Sequence, residues 1–319
     1  MLALALAATL AFAPLATSGS PPQTTSQTSA QDADTPVDLQ DIIVEGRRLE
    51  DATRDFVGEV GMPAKGRGLA RWRDGVCVGV ANLQGPTAQF IADRVSTVAR
   101  ELGLKAGEPG CDPSVLIIAT IDSNAFTSAF VAERPRLFVV GGSGMDLGRS
   151  ALRRFESTDR PVRWWNVSVP VDSDTREIAV RLPGYNAPTY NLRSISRLST
   201  QIVDDTQRSF VIIDVDKING VNLIQLADYL AMVTLAQINP DADTSGYATV
   251  LNLFQDLERT EGLTNWDMAY LQGLYAAQRT RANIHANSGE IASSIIRVHH
   301  RMTEEADEAD KAAETATPH

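Results

Sequence analysis

Histidine is scarce in this chain of 319 residues, and its four copies, His285, His299, His300 and His319, all lie beyond position 280. A Ser-His-Asp triad needs an imidazole beside its nucleophile, and no G-x-S-x-G elbow is present either. Cysteine is rarer still: only Cys77 and Cys111 occur. An even count in an exported chain invites a disulfide, and two buried free thiols are the other reading. Any cysteine nucleophile would have to come from that pair. Positive charge is in deficit, with 29 basic against 40 acidic residues and a net charge of -11. That balance opposes binding to nucleic-acid backbones and to anionic lipid, so no nucleic-acid partner is expected. Adjacent carboxylates such as Asp204 and Asp205 would point apart on an extended chain, which disfavours them as an acid-base pair.

Residues 1–16, MLALALAATLAFAPLA, form an apolar run followed by small residues, with a cleavage region at Ala16-Thr17-Ser18. Residues 1–18 are therefore expected to be a signal peptide, an N-terminal anchor being the alternative. Residues 19–40 are Ser, Thr, Gln, Ala and Pro without apolar periodicity, the composition of a disordered linker. Asp41 to Arg48, DIIVEGRR, is a short β-prone run that opens an N-terminal segment of residues 41–73. It can serve as a strand of the chain's own sheet or add to the edge of a partner's.

From 74 to 280 the pattern is that of one domain. Val76 to Leu83 and Val115 to Thr120 read as buried strands flanking a helix from Gly85 to Gly103, a βαβ unit with parallel strands. A further helix is expected over 124–133. Gly141 to Gly148 fits neither G-x-G-x-x-G nor a P-loop, so nucleotide binding is not expected. Pro161 to Val171 alternates, placing Trp165, Val167, Val169 and Val171 on a core face; Trp164 lies on the other face, covered by a loop or open to a ligand. Ser209 to Val215 is the last strong strand. Around it Asp204, Asp205, Asp214 and Asp216 form an acidic cluster, read as turn chemistry and solvated strand ends. Beyond Arg281 the signal fades into a polar C-terminal tail, 281–319, whose acidic run from Glu304 to Glu314 reads as a frayed helix or tail.

The stretch Gly220 to Pro240, GVNLIQLADYLAMVTLAQINP, organises the rest. Asn222 and Gln225 supply a capping box, and Pro240 is expected to end the helix. The segment is apolar nearly all round, so it belongs inside a layered domain. It is too short, and too polar at Gln225, Asp228, Thr234 and Gln237, to span a membrane. No membrane span is expected apart from the leader. A second capping box is written at Thr264 and Asp267.

Two resemblances rest on these residues. DIIVEGRR resembles the segment that opens the plug domain of TonB-dependent outer-membrane receptors, departing from it at Glu45. Pro240-Asp241, Asn252-Leu253-Phe254-Gln255-Asp256, and Leu263-Thr264 with Asp267, Leu271 and Leu274-Tyr275 resemble a family of secreted bacterial proteins of unknown function related to zincins. That likeness implies an α+β fold with a mixed sheet and a central buried helix. In a zincin this helix carries His-Glu-x-x-His, two imidazoles on one face for zinc and a glutamate to activate water. The corresponding places fall near Ala231, Met232 and Leu235, which neither bind zinc nor take a proton. Asp241 sits where some zincins place a third ligand.

The sequence thus predicts a periplasmic or secreted, non-catalytic zincin-like domain that binds an unknown protein or peptide, with no cofactor and no metal. The candidate binding residues are Asp228, Thr234, Gln237, Asp241, Asp214 and Trp164. A hydrolase using Asp204, Asp214 and Asp228 beside the helix, and an accessory factor of outer-membrane transport docking through Asp41 to Arg48, are the competing readings.

Overall fold

The computed structural model describes residues 48–139, 145–179, 199–281 and 284–316. The chain divides into the units Met1–Val37 and Asp38–His319. The first lies wholly outside the described residues, as do residues 38–47, 140–144 and 180–198. The expected leader, the expected linker and nearly all of the receptor-like segment fall there.

Helix α1 (Leu49–Val60) precedes a loop that carries Arg67, Arg71 and Trp72. The apolar run from 76 to 83 is split: β1 (Gly75–Val76) pairs with β3 (Lys105–Ala106), while β2 (Val78–Ala81) joins the main sheet. Between them runs α2 (Gly85–Glu101), started by Pro86. Then come β4 (Val115–Thr120), α3 (Ser123–Glu133), α4 (Pro135–Phe138), α5 (Arg149–Ser157), β5 (Val162–Asp172) and β6 (Ile202–Asp214). The central helix is α6 (Leu223–Leu235), followed by α7 (Asn265–Ala276) and α8 (Ile284–Ala316).

The fold is α+β with a mixed four-stranded sheet in the order β2-β4-β6-β5; β2, β4 and β6 run parallel and β5 antiparallel at the edge. Strand alternation divides the core between the two faces. Ile117, Val211, Ile213, Val162 and Trp164 pack against α2 and α6, with α7, α1 and α8 outside them. Ile118, Ile212, Phe210, Trp165 and Val167 pack beneath α3, α4 and α5. Strand β5 is consequently buried along its whole length, and Trp164 is covered not by a loop alone but by α6 and the chain that leaves it. Cys77 and Cys111 form a disulfide, and closing a loop of this size stabilises the fold by about 4 kcal/mol in the chain-entropy model.

Three expectations change. Residues 284–316 form a helix rather than a tail: Ile291, Ala292, Ile295 and Val298 sit in the core, while residues 304–309 are exposed. With α1 supplying Phe56, Val57 and Val60 to the same core, the domain extends past both 74 and 280. Of the acidic cluster only Asp216 is exposed as expected; Asp204, Asp205 and Asp214 are buried. Arg67 pairs with Asp204, Arg73 and Arg279 with Asp205, and Lys217 with Asp214.

Helix α6 also ends at Leu235, five residues short of Pro240, with Ala236 already extended. The backbone leaves the helix because it is used elsewhere: the Met62 amide donates to the Gln237 carbonyl (3.1 Å) and the Asn239 amide to Val60 (2.7 Å). Among the described residues no helix is long and apolar enough to cross a membrane.

Candidate functional site

The start of α6 is built as its sequence requires. The Asn222 side chain accepts from the Gln225 amide, and the Gln225 side chain accepts from the Asn222 amide. The other end is closed by side chains from three directions. Asn166 donates to the Val233 (3.1 Å) and Ala236 (2.9 Å) carbonyls, Trp72 to Thr234 (2.8 Å) and Tyr275 to Leu235 (2.8 Å). A helix leaves its last carbonyls without intrahelical partners, and here those partners are other parts of the chain.

Beyond this closed end lies the cleft. A pocket of about 40 Å³ is lined by Arg163, Trp164, Trp165 and Asn166 of β5 and by Gln237, Ile238 and Asp241. Successive side chains of a strand point to opposite faces, so a pocket that meets four in a row opens on the strand's edge. A second cavity, of about 140 Å³, adjoins it and shares Arg160, Trp164, Ile238 and Pro240. Tyr229 and Phe254 line that second cavity, and their rings meet edge to face at 5.0 Å. The Trp164 ring meets Tyr229 in the same way at 6.0 Å, and its indole N–H donates to the Ile238 carbonyl (2.9 Å). Burial pushes the Tyr229 phenol well above its ordinary range, so it stays protonated and keeps a donor. At the mouth, Asp241 is half exposed and holds both Arg160 (2.6 Å) and Arg154 (3.6 Å).

Three of the sequence-predicted residues, Trp164, Gln237 and Asp241, therefore meet around one pocket. Gln237 is fixed there by two buried bonds, accepting from the Ala70 amide (2.7 Å) and donating to Ser168 (3.1 Å). Thr234 turns inward instead, its hydroxyl donating to the Leu230 carbonyl (2.7 Å) within the helix. Asp228 lies elsewhere, bound by Arg94 and by the Leu263 amide (2.9 Å). Asp214 ends β6 and accepts from Ser123 (2.8 Å) and Lys217 (2.8 Å). Burial raises its affinity for a proton, but these two donors outweigh that and hold it below the usual carboxylate range. Asp204 and Asp214 stand ten residues apart on β6, roughly 30 Å at strand rise, so one dyad cannot contain both.

Ala231, Met232 and Leu235 are fully enclosed in the core. Among the described residues no three of His, Cys, Asp or Glu converge in a metal-binding group. The residues of the C-terminal likeness have structural work around α6. The Leu263 amide holds Asp228, Thr264 and Asp267 cap α7 reciprocally, and Phe254 walls the second cavity. Sequence reasoning missed Arg154, Arg160, Tyr229 and Phe254 as cleft residues. Phe254 lay inside a quoted motif, and Tyr229 was visible as the one aromatic residue of the helix. Set against known protein families, curated proteins and solved structures, the chain matches none of them.

Proposed function

We propose that this chain is an exported, non-catalytic zincin-like domain that binds an extended peptide segment of a partner protein at the C-terminal end of α6. The observation that carries the reading is the cleft that opens on the edge of β5 beside Trp164, with an aromatic cavity next to it. Strand β5 itself is buried, so recognition would come from the adjoining cavities, which select side chains of a bound segment. The first pocket has room for a short side chain or a few waters. The second, walled by Tyr229 and Phe254, takes a larger apolar one. The Arg160–Asp241 pair at the mouth is exposed enough to exchange partners with a charged side chain of the peptide.

The zincin-like assignment is supported by the order of elements, in which a βαβ unit and further strands precede a buried, capped helix. Apolar residues at the positions where that likeness would place metal ligands support the non-catalytic part. Export is supported by the apolar run of residues 1–16 and by the Cys77–Cys111 disulfide, which persists in oxidising compartments.

The test is a peptide array read by retention on immobilised protein, with metal content measured on the same preparation. The expected result is a set of peptides with an apolar anchor that bind the native chain and bind Asp241→Lys at least about tenfold more weakly. Stoichiometric zinc accompanied by peptide hydrolysis would overturn the proposal, and so would an array from which nothing is retained.

A further inference from the structure

A second concavity lies away from the cleft, and its charge is opposite to that of the chain as a whole. It holds about 300 Å³ between the loop at Gly66–Arg71, the start of β6, the end of α7 and the first turns of α8. Among the described residues its walls carry four arginines, Arg67, Arg71, Arg279 and Arg281, against one carboxylate, Asp204.

The ion pairs around it do not balance. Asp204 is fully committed, accepting from Arg67 through one oxygen and from the Gly68 amide (3.0 Å) through the other. Asp205 is shared between Arg73 and Arg279. Arg71 has no carboxylate of its own among the described residues: its guanidinium donates to the Leu274 and Ala277 carbonyls at the end of α7 and lies over the Tyr275 ring. Among the described residues four guanidinium groups, Arg67, Arg71, Arg73 and Arg279, thus face two carboxylates, a surplus of two positive charges. Arg281 at the rim shares Glu290 with Arg297.

The tension is visible at Arg71, whose guanidinium is pushed down to about 10, first by burial and then by repulsion from Arg279. Asn287, in the first turn of α8, also lines the concavity, and a helix N-terminus adds to positive potential. Guanidinium forks recognise planar or tetrahedral oxyanions through paired N–H donors, and spare N–H groups of Arg71, Arg279 and Arg281 border the space.

We propose that this concavity is a binding site for a small molecule that carries at least two oxyanion charges, as phosphate or as carboxylate. The volume is that of a small-molecule site rather than of a macromolecular interface. The site shares no lining residue with the peptide cleft.

Calorimetric titration of the full chain with inorganic phosphate, pyrophosphate and citrate, at ionic strength held constant with sodium chloride, tests the assignment. Saturable one-to-one binding of pyrophosphate or citrate is expected, and which of the two binds more tightly tells phosphate from carboxylate. Arg281→Gln, at a half-exposed rim position that leaves the fold intact, should weaken that binding about tenfold, while Asp241→Asn in the cleft should leave it unchanged. Arg279→Lys provides a second variant, expected to weaken binding because an ammonium cannot replace the fork. Absence of saturable binding by all three anions would overturn the proposal, as would binding that both arginine variants retain at native strength.

Discussion

Arg94 on α2 and Asp228 on α6 hold each other across the core, and the second oxygen of Asp228 accepts from the Leu263 amide at 2.9 Å. Asp228 is buried, whereas a third of the Arg94 side chain reaches solvent. The two halves of the pair are therefore unequal. Removing Arg94 strands a buried carboxylate and should cost about 3 to 5 kcal/mol. Asp228→Asn keeps an acceptor for Leu263 and leaves an arginine that can turn to water, for about 1 to 2 kcal/mol. Urea unfolding of Arg94→Gln and Asp228→Asn checks the order. If Asp228→Asn proves the more damaging, the carboxylate has a role beyond this pairing.

Asn166 is a single side chain serving three partners, since it donates to the Val233 and Ala236 carbonyls and accepts from the Ser209 hydroxyl (2.6 Å). Asn166→Leu matches it in size but leaves two carbonyls and a hydroxyl buried without their amide. A loss of about 2 to 4 kcal/mol is expected, from unsatisfied groups at about 1 to 3 kcal/mol each with partial relaxation. Because this residue also lines the cleft, peptide binding should fall with it, whereas the response to pyrophosphate or citrate should not. Parallel loss of both would mean that the substitution disturbs the fold beyond the end of α6.

Asp267 gives the chain a pH dependence whose sign can be worked out. Burial raises its carboxyl from 3.8 to about 6, against the opposing hydrogen bonds from Thr249, Thr264 and Val250. A folded-state value above the unfolded one means that the native chain holds the proton more tightly. The contribution to stability is then complete below about pH 4 and is lost as pH rises through about 6. A rise of that size is worth roughly 3 kcal/mol. Asp267→Asn has no such proton to release, so the difference in unfolding free energy between native and variant should change by about that amount between pH 4 and pH 7. A difference that stays constant with pH would show that Asp267 is ionised throughout.

How far the sequence could be followed depended on the range of the interactions. Both capping boxes, Asn222 with Gln225 and Thr264 with Asp267, are local codes of three-residue spacing and form as written. The βαβ unit is local in the same sense, and the strand at Val115–Thr120 has the bounds its pattern predicts. The ion pairs were invisible because Arg67 and Asp204 are 137 positions apart, and nothing in the adjacent pair Asp204-Asp205 tells a solvated turn from a buried, paired strand. The premature end of α6 has the same cause. Its carbonyls are claimed by Asn166, Trp72 and Tyr275, which no pattern within the helix announces. The cleft was half legible: Trp164, Gln237 and Asp241 stood out as polar or aromatic exceptions, but the arginines that meet Asp241 come from residues 154 and 160.

The contact between α7 and α8 is decided by a glycine. A Cβ placed on Gly273 would lie 2.6 Å from the backbone nitrogen of Ile295, a distance no helix pair can hold, so α8 packs directly on the bare backbone of α7. On propensity alone Gly273→Ala should stabilise α7 by about 1 kcal/mol. The clash meets the Ile295 backbone as well as its Cγ1 (2.5 Å), and a rotamer change cannot relieve the backbone part, so α8 must shift and withdraw Ile291, Ile295 and Val298 from the core. The net change expected is a destabilisation of about 1 to 3 kcal/mol, the usual cost of overpacking. It should appear as a lower melting temperature and as protease cleavage near the start of α8. The far part of the helix provides the control: truncation after Thr303 removes residues 304–319, of which 304–309 are exposed, and should leave the melting temperature unchanged. Equal sensitivity of the two variants would show that α8 contributes as one unit, whereas a neutral Gly273→Ala would mean that the helices do not pack through this glycine.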